Sequence, residues 1–73
     1  MLHETHSARV TGPLRVVAHD GQARTIPVGP CLIEELDGDM VDLVWGRAGE
    51  KSVVVPTVEV ESAERDGKLV RLD

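Results

Sequence analysis

At 73 residues the chain holds one domain, and a domain this small buries only about 60% of the surface its unfolded chain exposes, so its core calls for a supplement. The single cysteine excludes an internal disulfide and no Cys/His set has structural-zinc spacing, which leaves association. A formal charge of −5, with no basic stripe and no set of stacking aromatics, argues against nucleic acid as a partner.

Met1 to Arg9 carry Glu4 and other polar residues in place of an apolar run. This reads as a flexible tail over 1–9 ahead of a single domain over 10–73, with neither a signal peptide nor a membrane anchor. His3 and His6 stand three apart in that tail, where a metal would need further ligands from elsewhere; no metal and no other cofactor is expected. With one free thiol, the chain reads as a cytoplasmic, bacterial-style protein.

Three Asp-Gly pairs, at 20–21, 37–38 and 66–67, punctuate segments rich in valine and other aliphatic residues. Asp-Gly favours tight hairpins, because both central positions of the turn need positive φ. The first pair predicts a hairpin of Leu14 to Ala18 with Ala23 to Val28, turning Leu14, Val16, Ala18, Ile26 and Val28 inward and Arg15 and Arg24 away. The second joins Cys31 to Leu36 with Asp39 to Trp45. A two-residue turn there sets Glu34 on the face of Leu32, Leu36, Val41, Leu43 and Trp45, a conflict that a bulge at Glu34-Glu35 would relieve. A loop over Gly46 to Gly49 leads to Glu50 to Pro56, and the third pair joins Thr57 to Arg65 with Lys68 to Leu72. Val58 to Arg65 is the one Glu-rich stretch that admits a helical turn; a strand is the favoured reading. The fold class is all-β: a small antiparallel meander closing into a barrel of five to seven short strands.

The run Cys31 to Leu36, Asp37-Gly38-Asp39, Met40 to Trp45, a Gly-bounded loop and Lys51 to Pro56 resembles the central strands of SH3-like small barrels, over about residues 28–72. The pattern is also similar to the SH3-like C-terminal dimerisation domains of plasmid partition-type repressors. The resemblance implies a meander of short bent strands with a brief turn before the last one. It does not carry over proline-rich peptide recognition, because the aromatic groove of peptide-binding SH3 domains has no counterpart here.

Gly46 to Ser52 superficially resembles a phosphate-binding loop, but Glu50 stands where a glycine should adjoin the lysine, and a valine run follows in place of a helix. Ser7, Thr11, Thr25, Cys31, Ser52, Thr57 and Ser62 offer nucleophiles that no motif singles out, so no catalytic residue is assigned. Cys31, beside Leu32, reads as a small packed hydrophobe. Trp45 reads as a core residue whose alternative is an interface anchor.

Residues 31–45 hold Glu34, Glu35, Asp37, Asp39 and Asp42 with no Lys or Arg, and so account for the whole imbalance of charge. Glu35, Asp37, Asp39 and Asp42 are the candidate contacts for a basic protein surface. Two strands are apolar on both faces: Val53, Val54 and Val55 are consecutive, and Met40 and Val44 oppose Val41, Leu43 and Trp45. Met40, Val44 and Val54 are therefore the candidate contacts of a homo-oligomer, most simply a two-fold dimer. The first functional reading is a non-enzymatic interaction or assembly module; the second is an acidic inhibitor or adaptor. An enzyme whose site is assembled between subunits ranks third. Type II plasmid dihydrofolate reductases are built that way, but their Val-Gln-Ile-Tyr strand has no match in Ser52 to Pro56.

Overall fold

Ala8 and Val10 alternate with Ser7 and Arg9, the period of a strand with one buried face, and this segment opens the structure. A computed structural model describes residues 4–73. The order is β1 (Thr5–Val10), β2 (Leu14–Val17), β3 (Ala23–Ile26), β4 (Gly29–Leu36), β5 (Met40–Trp45), β6 (Lys51–Pro56), α1 (Thr57–Arg65) and β7 (Leu69–Arg71). Five strands form one antiparallel sheet in the order β6-β5-β4-β1-β7, while β2 and β3 pair only with each other. The protein is thus mostly antiparallel strand with one short helix, and neither sheet closes into the barrel that the meander predicts.

The core lies between one face of the large sheet and the cover formed by the hairpin and helix. The sheet contributes Ala8, Val10, Cys31, Ile33, Val41, Leu43, Val53, Val55 and Leu69; the cover contributes Leu14, Val16, Ala18, Ile26, Val60 and Ala63. Each fully buried aliphatic chain stabilises the fold by about 1.5–3 kcal/mol relative to its exposed state. The cover is pinned by polar contacts: the Glu59 carboxylate accepts from the Val17 backbone N–H at 2.6 Å, and His19 N–H donates to the Val54 carbonyl at 2.7 Å. Among the described residues no polar or charged residue is fully buried.

Several expectations need correction. The tail predicted over 1–9 is a strand from Thr5 onward, seated between β4 and β7, because Ala8 and Val10 fill the core; Met1 to His3 lie outside the described residues. Thr57–Arg65 is a helix and not a strand. Its Asp-Gly pair ends it as a cap: Asp66 follows the last turn, Gly67 takes φ 75°, Gly67 N–H donates to Glu64 O at 3.1 Å, and Lys68 N–H donates to Ala63 O at 3.0 Å. These are the two bonds of a Schellman motif, which needs a left-handed residue at the position Gly67 occupies.

The Glu34-Glu35 bulge is absent, since pairing runs unbroken from Cys31↔Trp45 to Leu36↔Met40. The loop has three residues, with Gly38 and Asp39 both at positive φ. One extra loop residue shifts the register by one, which moves Glu34 to the opposite face and brings Ile33 and Leu43 together inside. The first hairpin forms at Asp20-Gly21, but its second strand ends at Ile26, and Val28 is 52% exposed rather than inward.

Candidate functional site

The large sheet has a second face that neither the hairpin nor the helix covers. Cross-strand pairing sets its rows: Ser52, Val44, Leu32 and Ser7 form the middle row, with Leu72 beside Ser7 through a 2.9 Å backbone bond. Val54, Asp42, Glu34 and Thr5 form the row on one side, and Pro30, Arg9 and Val70 lie on the other. Beyond the acidic row come Pro56, Met40 and Leu36. Leu32, Val70 and Leu72 are exposed, and Val44, Val54, Met40 and Leu36 are half-buried. Met40, Val44 and Val54 thus share this outer face.

The four acidic candidates do not share a surface. Asp37 and Asp39 sit in the loop between β4 and β5, Asp42 lies on the outer face, and Glu35 shares the inner side with His6. Glu34 stands directly across from Asp42. Desolvation first, and the Glu34 charge second, push the Asp42 carboxyl above its usual range. Its Oδ1 is buried and has no hydrogen-bond partner among the described residues. A carboxylate in that position is short of one donor.

A second polar cluster sits at the end of β1. His6 Nε2 is 2.8 Å from Oε2 of Glu35 and 3.4 Å from Oε2 of Glu4, and its Nδ1 is 3.3 Å from Oδ1 of Asp73. The other Asp73 oxygen accepts from Ser7 N–H at 3.1 Å, which fixes that carboxylate in place. The hydrogen bond that the His6 ring donates to the Glu35 carboxylate raises the His6 pKa, with burial opposing and Asp73 assisting. The chain pattern hides this cluster, because Glu35 and Asp73 reach His6 only through the pairing of β1 with β4 and the backbone bond from Leu72 to Ser7.

The loop after Trp45 closes on its own carboxylate. Gly46 has φ 98° and Gly49 φ 67°, and the Glu50 carboxylate curls back to accept from Ala48 N–H at 2.9 Å. Backbone N–H groups of the loop hold the Glu50 pKa below its usual range. The concavity that would cradle an anion is filled by the chain's own carboxylate. Trp45 packs partly against the core, and its open side borders a groove of about 550 Å³ with Pro27, Val28, Pro30, Arg47 and Lys51.

Cys31 is buried, and burial pushes its thiol pKa up, which keeps it from the reactive thiolate form. The side-chain hydrogen bonds of His6 and Thr11 run to Glu35 and to the Gly67 carbonyl. No helix of the described residues is long and apolar enough to cross a membrane. Compared with known proteins, the chain matches no family model, no curated protein and no solved structure.

Proposed function

We propose that the protein is a non-enzymatic assembly module that associates with a second copy through the outer face of its five-stranded sheet. The observation that carries this reading is the exposed apolar pair Leu32 and Leu72 beside half-buried Val44, on a sheet whose other face already fills the core. Apolar surface of that kind, left to water, is a standing incentive to associate. Charge complementarity favours a copy of the same chain as the occupant. Arg9 lies on one side of the middle row, and Glu34 and Asp42 lie on the other. A two-fold axis along that row, between two facing sheets, sets Glu34 of each copy over Pro30 and beside Arg9 of the other. Such a contact is self-complementary, as a two-fold interface requires.

The SH3-like reading belongs to the same proposal. Its support is the meander β4-β5-β6 and the position of α1, which stands where that pattern has its brief turn before the last strand. With Cys31 free and buried, we place the protein in a reducing, cytoplasmic setting.

The test is light scattering over roughly 1–100 µM, the range in which weak association shows. A dimer for the unaltered chain and a folded monomer for Leu32→Lys or Val44→Lys are the expected results. A compact monomer throughout that range overturns the proposal.

A second reading has its own observation. The Asp42 oxygen without a donor, beside Glu34, suits a basic side chain from a different protein. In that case neutralising Asp42 and Glu34 together abolishes capture of a basic polypeptide, and Leu32→Lys, which sets a cation in the row beside both carboxylates, weakens it; unchanged capture by the neutralised variant disposes of this reading.

A further inference from the structure

We propose that Glu4, His6 and Glu35 form a binding site for a divalent first-row cation of the Zn2+ class, completed by water, with Asp73 orienting the imidazole from behind. The site rests on strand geometry. Glu4 immediately precedes β1 and lies two residues from His6, and its carboxylate reaches to 3.4 Å from His6 Nε2. Thr5 pairs with Glu34 and the Glu35 N–H donates to the Glu4 carbonyl at 2.8 Å, so Glu35 stands across from Glu4. Like charges directly opposed across two strands are destabilising by themselves. Here the third member of the group is an imidazole nitrogen, and the three ligand atoms lie within 4.8 Å of one another.

The spacing suits a shared ion. Bonds of about 2.0–2.2 Å from Zn2+ to nitrogen and oxygen place neighbouring ligand atoms roughly 3–3.5 Å apart around a tetrahedron. The contact of His6 Nε2 with Glu4, at 3.4 Å, falls in that range, and the one with Glu35, at 2.8 Å, is a little shorter. Glu4 is the most exposed of the three, with its side chain 73% accessible, so its rotation closes the set without moving a strand.

The far side of the imidazole is also built. Asp73 lies 3.3 Å from Nδ1 while its other oxygen is held by Ser7 N–H, so when a cation displaces the Nε2 proton now shared with Glu35, the remaining ring proton has an acceptor behind it. Once the Nε2 proton leaves, three electron-rich atoms converge on a space that a cation can fill. A carboxylate behind a ligating histidine is the usual support of such a site, fixing its tautomer and orientation. Arg71, whose charge opposes a cation at His6, is engaged by Glu64 at 3.2 Å. The cluster lies on the opposite side of β1 and β4 from the outer face, so it does not depend on how copies associate.

The experiment titrates the full chain with Zn2+ by calorimetry and with Co2+ by visible absorption, after circular dichroism has shown each variant folded. The unaltered chain binds one ion, and Co2+ gains ligand-field bands. Glu35→Gln and Glu4→Gln each weaken binding at least tenfold, and Asp73→Asn weakens it 10–100-fold, the usual effect of removing such a support. Glu34→Gln, on the other face of β4, leaves it unchanged. Because Glu4 is exposed, its variant keeps the test informative should Glu35→Gln fail to fold. No saturable binding up to millimolar Zn2+, or binding that Glu4→Gln and Glu35→Gln leave intact, overturns the proposal, the cluster being then held by a proton alone.

Discussion

Asp42 and Glu34 face each other as directly paired residues on the outer face of the large sheet, a like-charge contact to which no described residue supplies an ion-pair partner. The Asp42 carboxyl is raised above its usual range, by desolvation before charge. With the folded-state pKa above the unfolded one, the contribution of neutral Asp42 is fully present below the unfolded pKa and is lost as pH rises through the folded pKa. Asp42→Asn removes that loss. It stabilises the protein at neutral pH, because a neutral amide carries neither the desolvated charge nor the repulsion with Glu34. Urea unfolding at neutral pH, and again across the carboxylate range, reads both the gain and the flattened pH profile; an unchanged profile refutes the assignment.

Gly46 and Glu50 make a second coupled pair. A Cβ on Gly46 would stand 2.7 Å from the Glu50 carboxylate carbon, at a φ of 98° that side chains rarely adopt. Gly46→Ala therefore destabilises the protein by about 1–2 kcal/mol for the backbone alone, and more for the displaced carboxylate. Glu50→Ala combined with Gly46→Ala recovers the second part but not the first, so a double-mutant cycle gives a coupling of clear sign. Glu50 has a depressed pKa, so its contribution is present above the unfolded pKa and is lost as pH falls through the folded one. Additive effects of the two substitutions would show that the carboxylate does not occupy the loop.

Gly67 and Gly12 separate backbone conformation from space. Neither has an atom within 4 Å of where a Cβ would sit, but only Gly67 has positive φ, at 75°. Gly67→Ala destabilises the chain by about 1 kcal/mol and frays the end of α1, whereas Gly12→Ala is neutral or slightly stabilising through the unfolded state. Thermal unfolding of the two variants, with helix signal by circular dichroism, makes the comparison. Equal losses at both positions would mean that the left-handed cap is not what holds the helix end.

That helix marks where the chain pattern stops being readable. Strands β2 to β6 follow from alternation and from Asp-Gly turns, because period two and positive φ are local properties. The pair Asp66-Gly67 carries the same dipeptide as a hairpin and serves as a helix cap, and only the neighbouring residues distinguish the two. Glu59 near the start, Arg65 in the last turn and glycine two places after it are helix-end features. Val60 and Ala63 are the only buried residues of the helix, too few for an apolar stripe. Strand β1 is hidden differently, since Ala8 and Val10 are a short apolar signal whose meaning comes from Cys31 and Leu69 far along the chain. Of the candidate site, Met40, Val44 and Val54 were legible because three consecutive valines cannot all face one way. The grouping of Glu4, His6, Glu35 and Asp73 was not, since it is created by strand register.

The proposed two-fold contact makes a demand that a merely sticky surface would not. Arg9 and Glu34 lie on opposite sides of the Leu32 row, so each meets its counterpart only in the other copy. Arg9→Glu places like charges face to face, and Glu34→Arg does the same with the opposite sign. Like-charge juxtaposition in an interface costs several kcal/mol, so each variant alone weakens dimerisation by well over tenfold. The chain carrying both substitutions dimerises again. Mixing the two singly altered chains also yields a heterodimer, because both crossed pairs are then of opposite sign. Light scattering on the separate and mixed chains reads this directly. If the singly altered chains dimerise as the unaltered one does, or if mixing restores nothing, the two copies do not meet along this row.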